Sequence, residues 1–100
     1  MREPAAGDMP GCVLEGDIMA TNEDAFAPIR VRAESAAEVV VDVSRLRRMD
    51  FVAAANLMNL VNALALSQKR VRLVRASHLL TALWELIGLD KVACIETRKA

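Results

Sequence analysis

The sequence predicts an α/β domain: a small, mostly parallel sheet of four to five strands, with about three helices packed mainly on one side. Three observations carry this. Short β-branched runs alternate with longer helix-period segments in the order β-α-β-α-β-α-β, the pattern of parallel strands joined by right-handed crossovers. The run Val39-Val40-Val41-Asp42-Val43 is apolar on both sides of the pleat, as expected for a strand inside such a sheet. Finally, 100 residues with 54% apolar positions supply a single core. A chain of this size buries roughly two thirds of its unfolded surface.

Residues 1–11 are rich in Pro, Gly and Ala and read as a flexible tail or an irregular first strand; residues 12–97 form the single domain. Cys12-Val13-Leu14-Glu15 reads as a short strand, with Gly16-Asp17 as the turn that follows. Thr21 with Asp24 three positions on fits a capping box, so a first helix is expected from near Asn22. Pro28 would lie deep in that helix, where it removes a donor and clashes with the preceding turn. A break or kink is expected there, with helical character continuing to about Ala37. After the valine-rich strand, Ser44 to Met49 reads as a loop carrying Arg45, Arg47 and Arg48. Asp50 stands where a helix N-cap belongs, residues 51–66 form the second helix, and Gln68-Lys69-Arg70 ends it. Val71-Arg72-Leu73-Val74-Arg75 is the next strand by its β-branched content. Ser77 caps a third helix that stops at Gly88, and Val92-Ala93-Cys94-Ile95 is the last strand.

Composition excludes several functions. Lys+Arg and Asp+Glu are 13 each, so the net charge is zero and a general nucleic-acid or anionic-membrane binder is disfavoured. The first half carries a net −4 and the second +4, read as scatter on a solvated surface or as a bipolar surface that orients a partner. Aromatic residues are 3%, too few for a base-stacking platform. No apolar run is long enough to span a bilayer, and the N-terminus lacks the apolar stretch of a signal peptide. Cys12 and Cys94 read as small buried hydrophobes in a reduced, cytoplasmic setting. His78, the one histidine, sits beside the cap of the third helix without the partners of a triad. The four glycines are isolated, and no acid or histidine cluster has metal-ligand spacing. No enzyme activity, cofactor, metal or nucleic acid is expected.

The second helix is the informative element. On a helical wheel Ala53, Leu57, Leu60, Val61 and Leu64 gather on one face, which packs on the sheet. The other face holds Phe51, Ala55, Met58, Asn59, Asn62 and Leu66, and no charged residue occurs from Phe51 through Gln68. A helix that is apolar or neutral all round is usually buried. The third helix looks ordinary beside it, with Leu79, Leu80, Leu83, Leu86 and Ile87 inside, His78, Thr81 and Glu85 outside, and Trp84 on the border. The covering of the second helix is either its neighbouring helices or another protein, and we favour the latter.

Here the residues resemble a STAS domain, the fold of bacterial anti-sigma-factor antagonists. The supporting pieces are Leu14-Glu15-Gly16-Asp17, Val39-Val40-Val41-Asp42-Val43-Ser44, Asp50, and Leu86-Ile87-Gly88-Leu89-Asp90, in family order over about residues 12–96. The family's first strand is missing before Cys12 or kept irregularly in residues 1–11. The resemblance implies that Ser or Thr should follow the Asp at the second helix, where a kinase-type anti-sigma factor phosphorylates it. Here Phe51 and Val52 occupy that position, so there is no phosphoacceptor and the switch cannot operate there. Ser44 resembles a common family residue but not the acceptor. An apolar pair in place of the hydroxyl favours permanent contact. The chain is similar in this to degenerate STAS domains, including the small subunit of bacterial phospholipid-trafficking ABC transporters, which binds the ATPase without catalysis of its own.

The resemblance thus implies a non-enzymatic, constitutively competent interaction module. Asp50 is read first as a structural cap. Asp50, Phe51, Val52, Ala55, Met58, Asn59 and Asn62 are the candidate partner-binding residues, with core packing against neighbouring helices as the competing role for the patch. The expected partner is another protein, a kinase-like anti-sigma factor or an ABC transporter ATPase, or a second copy in a homodimer. Small-ligand sensing of a nucleotide or lipid is the alternative from a different class. Arg45, Arg47 and Arg48 could meet a phosphate, though three arginines in a loop are more often solvated. Direct membrane insertion is not expected.

Overall fold

A computed structural model describes residues 11–19 and 24–98. Four strands, β1 (Cys12–Ile18), β2 (Glu38–Met49), β3 (Arg70–Ala76) and β4 (Cys94–Thr97), alternate with helices α1 (Ala27–Ala33), α2 (Phe51–Leu66) and α3 (His78–Ile87). A 3₁₀ turn at Leu89–Lys91 precedes β4. The strands form one sheet in the order β1-β2-β3-β4, with every neighbouring pair parallel. Each crossover advances one strand in the same direction, so right-handed connections place all three helices on one face.

The α/β class and the four strands are as the sequence predicts; the boundaries differ in instructive ways. β1 continues through Gly16-Asp17, the expected turn, to Ile18. Gly16 takes φ 77° at an irregularity in the β1–β2 register, a left-handed conformation that a side chain would strain. β2 runs on to Met49, so the arginine segment is strand and not loop. The reason lies in its neighbours. Glu38–Asp42 has β3 on one side, while Arg45–Met49 pairs only with β1, from Glu15↔Arg45 to Ile18↔Met49. Half of that segment therefore faces water and can carry charge, with Leu46 and Met49 turned inward.

Helix α1 is shorter than expected. Thr21 and Asn22, where its capping box and start are expected, lie outside the described residues, but Asp24–Phe26 form a turn and the helix begins only at Ala27. Pro28 does not kink it but sits in its first turn, where the missing N–H costs nothing, and the helix ends at Ala33 rather than Ala37. Helices α2 and α3 begin and end where expected. β4 starts two residues later than the sequence suggests, because Leu89–Lys91 forms the 3₁₀ turn first. The core lies between sheet and helices. Val39, Val41, Val43, Val71 and Leu73 from the sheet meet Ile29, Ala54, Leu57, Leu80 and Trp84 from the helices, all fully or almost fully buried.

Candidate partner-binding surface

Asp50 sets the start of α2. Its backbone is extended, and its Oδ1 accepts a hydrogen bond from the Ala53 N–H at 2.7 Å. That satisfies one of the orphan donors of the first turn and opposes its positive end with a carboxylate. The Asp50 N–H in turn donates to the carbonyl of Ile18 at the end of β1. The junction between β2 and α2 is thereby fixed in space.

The cap leaves the next two side chains outside. Phe51 is 60% exposed and Val52 57%. Ala55 and Asn59 are exposed one and two turns on, Asn62 is half-buried, and Met58 is half-buried against the core. Leu66, at the far end of the same helix, is 89% exposed. The inward face consists of Ala53, Ala54, Leu57 and Val61, with Leu60 and Leu64 partly covered. The sequence-predicted patch is thus gathered along one side of α2, with Phe51 and Val52 open at its N-terminal end.

Two residues of this surface escape the sequence reading. Leu79 and Leu86, assigned there to the inside of α3, are 72% and 74% exposed, while Trp84, assigned to the border, is completely buried beside Leu80. Leu80 and Trp84 mark the inward line of α3, and Leu79 and Leu86 lie roughly 120–140° from that line on the wheel and so face outward. The Trp84 indole N–H has no hydrogen-bond partner, so the ring is held by packing. Ser77 caps α3 by accepting from the Leu80 N–H at 3.1 Å, and Gly88 closes it in the left-handed conformation at φ 88°.

The starts of α2 and α3 border one cleft of about 410 Å³. Met49, Phe51, Leu79, Leu80 and Leu83 give it apolar walls. Arg47 and Arg48, from the last residues of β2, also line it. Arg47 is ion-paired with Asp17 at 3.3 Å across exposed side chains. Arg45, Arg47 and Arg48 are all exposed.

Nothing described elsewhere assembles a reacting set. Burial pushes the Cys12 thiol up, against a lowering effect of the Arg32 guanidinium. Cys94 is exposed, in contrast to its expected burial, because β4 is an edge strand and this residue shares the open face with Arg72. His78 is exposed at the first position of α3. Ser44 lies within β2, its N–H donating to Asp42 and its carbonyl accepting from Arg98. Among the described residues no group of three His, Cys, Asp or Glu could hold a metal ion. No helix among them is long and apolar enough to cross a membrane.

Fold and surface together define a small α/β domain of STAS-like architecture, marked by an open apolar cleft at the β2–α2 junction. The chain belongs to the STAS-domain family: a family model described as "Mlab, STAS domain" matches residues 1–96. Comparison with curated proteins and with solved structures gave no match. Membership makes the chain a regulatory or protein-interaction module in general, in a family whose domains are generally non-enzymatic.

Proposed function

We propose that this STAS domain is a constitutive, non-catalytic regulatory or assembly subunit of the cytoplasm, which docks on a protein partner through the N-terminal half of α2. The partner class is a kinase-like anti-sigma factor or an ABC transporter ATPase. The observation that carries this is the state of Phe51 and Val52, both more than half exposed at the capped start of α2. In phospho-switched relatives that position holds a hydroxyl. Here the first turn reads Phe51-Val52-Ala53-Ala54 and has nothing to phosphorylate. A contact made by these side chains would stay on until the partner leaves. Asp50 acts as the cap that orients the patch. Phe51, Val52, Ala55, Met58, Asn59 and Asn62 form the contact.

Covering the 60% of Phe51 that is still exposed would supply about 1–2 kcal/mol of apolar transfer, before association costs. The asparagines bond to water when free and to partner groups when covered. The test is a double substitution, Phe51→Asp with Val52→Asp, in pull-downs from the native organism. Both positions are exposed and lie in the first helical turn, where acids are favoured, so the fold is expected to survive unchanged in a thermal melt. Loss of the wild-type partner is expected. Retention of that partner by the folded variant removes the patch from the interface.

A further inference from the structure

The cleft beside this patch has a chemistry of its own. We infer that it seats a large apolar side chain from an acidic segment of the partner protein, with carboxylates flanking that side chain meeting Arg47 and Arg48. This rests on reading the α2 surface as protein-binding and adds what the partner must present.

The apolar half of the inference comes from the walls. Met49, Leu79, Leu80 and Leu83 line a space of about 410 Å³. The sign of the flanking charge comes from three features of the same end of the molecule. Arg47 and Arg48 line the cleft. Among the described residues Arg48 enters no ion pair, and the bond of Arg47 to Asp17 joins side chains 74% and 38% exposed. An exposed pair of that kind is worth little, so a partner carboxylate can replace Asp17 at small cost. Helix α3 also starts here, with the neutral Ser77 as its cap and no acidic residue in its first turn, so its positive end adds to the field of the arginines, while that of α2 is opposed by the Asp50 carboxylate, which lines the same cleft.

The openness of the cleft points to a macromolecule rather than a small amphiphile. Phe51 and Leu79 at its border remain 60% and 72% exposed. A small-molecule site typically encloses about 70–90% of its ligand, and a fatty-acid chain lying here would stay wet along much of its length. A side chain projecting from a protein surface is different, since the body that carries it covers Phe51, Val52 and Leu79 at the same time and excludes water around the inserted group.

The test uses the full chain and three fluorescein-labelled nine-residue peptides, read by anisotropy. One has a central Leu-Leu flanked by Glu, one the same centre flanked by Lys, and one a central Ala-Ala flanked by Glu. The Glu-flanked Leu peptide is expected to bind about tenfold or more tighter than either of the others, a difference of about 1.4 kcal/mol. Leu79→Asp should abolish its binding. The double variant Arg47→Glu, Arg48→Glu should reverse the preference toward the Lys-flanked peptide. All three substituted positions are exposed, and Asp at the start of α3 favours the helix, so melting should change little. Equal binding of the Glu and Lys peptides, a Lys preference in the wild type, or no binding by any peptide overturns the inference. Binding of dodecanoate that Leu79→Asp abolishes, with no peptide binding, also overturns it and assigns the cleft to a lipid. If the peptides fail while Phe51→Asp with Val52→Asp still loses the partner, the docking surface stands and only its acidic complement falls.

Discussion

The molecule has two outer surfaces, and they are built on opposite terms. The open face of the sheet is dominated by charges, with Val13, 45% exposed, opposite Asp42 at its β1 edge. Arg72 lies between Glu38 at 3.8 Å and Glu96 at 2.6 Å, and Arg75 pairs with Asp42. Its central apolar residue, Val40, is buried to 8% exposure among them. The outer surface of the helix layer has Phe51, Val52, Leu66, Leu79 and Leu86 exposed, and α2 carries no charge along its length. A solvated surface normally concentrates charge, and isolated apolar residues on it need no explanation. Five large ones on two adjacent helices, facing away from a well-satisfied sheet, are a different matter. The difference teaches where this domain can meet another protein without first breaking ion pairs.

The most forceful way to break the comparison is within α2 itself. Leu57 is fully buried and Leu66 is 89% exposed on the same helix. Leu57→Ala removes the group that joins the helix layer to the sheet and is expected to cost about 2–5 kcal/mol, transfer and cavity together. Leu66→Ala should change stability by less than about 0.5 kcal/mol. Urea unfolding of the two variants reads both. A substantial loss for Leu66→Ala would mean that the outer surface of α2 is covered in solution by a second copy, and the contrast between the surfaces would fail.

A middle-sized effect sharpens it. Asp50 sits at the border of the docking patch, yet its carboxylate is committed to the Ala53 N–H. Asp50→Ala should therefore destabilise the fold by about 0.5–2 kcal/mol, as the loss of a cap does, while Asp50→Asn or Asp50→Ser keeps most of the stability. Partner binding by the folded Asn variant should remain. Binding lost in Asp50→Asn with stability intact would make the carboxylate a contact rather than a cap.

Much of this was legible beforehand, and the exceptions have physical causes. Asp50, Ser77 and Gly88 announce the ends of α2 and α3 because capping is local chemistry, written in one or two residues. Val39–Val43 announces a central strand because β1 and β3 pair with it on its two edges and Val39, Val41 and Val43 are buried under the helices, although its other face is the open face of the sheet. Arg45–Met49 is hidden because one-sided pairing leaves a strand free to carry arginines, which read as loop. Pro28 misleads because a proline marks a first turn as readily as a break, and only the true start of the helix tells which. Leu79 and Leu86 mislead because leucine is equally at home in a core and in an interface, so counting leucines on a wheel cannot distinguish them. The exposed line Phe51, Val52, Ala55 and Asn59 is legible as a charge-free stripe; the cleft is not, because Met49 and Leu83 reach it from separate elements.

The smallest effect concerns the charged surface. Asp42 sits in β2 with its side chain 14% exposed, paired to Arg75 and accepting from the Ser44 N–H at 2.8 Å. The hydrogen bond from Arg75 is the largest of the influences that lower its pKa to about 2, with burial working against them. The folded-state pKa thus lies below that of the unfolded chain, where an Asp titrates near 3.9. Stability from this carboxylate is complete above about pH 4 and is lost as pH falls toward 2. Asp42→Asn should lower the urea midpoint at pH 7 by less than Asp50→Ala does, since Arg75 is exposed and solvent screens the pair. The gap between variant and wild type should then close on acidification through that window. Phe51→Asp with Val52→Asp provides the contrast, abolishing partner binding while leaving the acid limb of the wild-type stability profile in place. A gap for Asp42→Asn that stays constant from pH 7 to pH 2 would show that the ion pair contributes nothing. The sheet face would then be as open to association as the helix face.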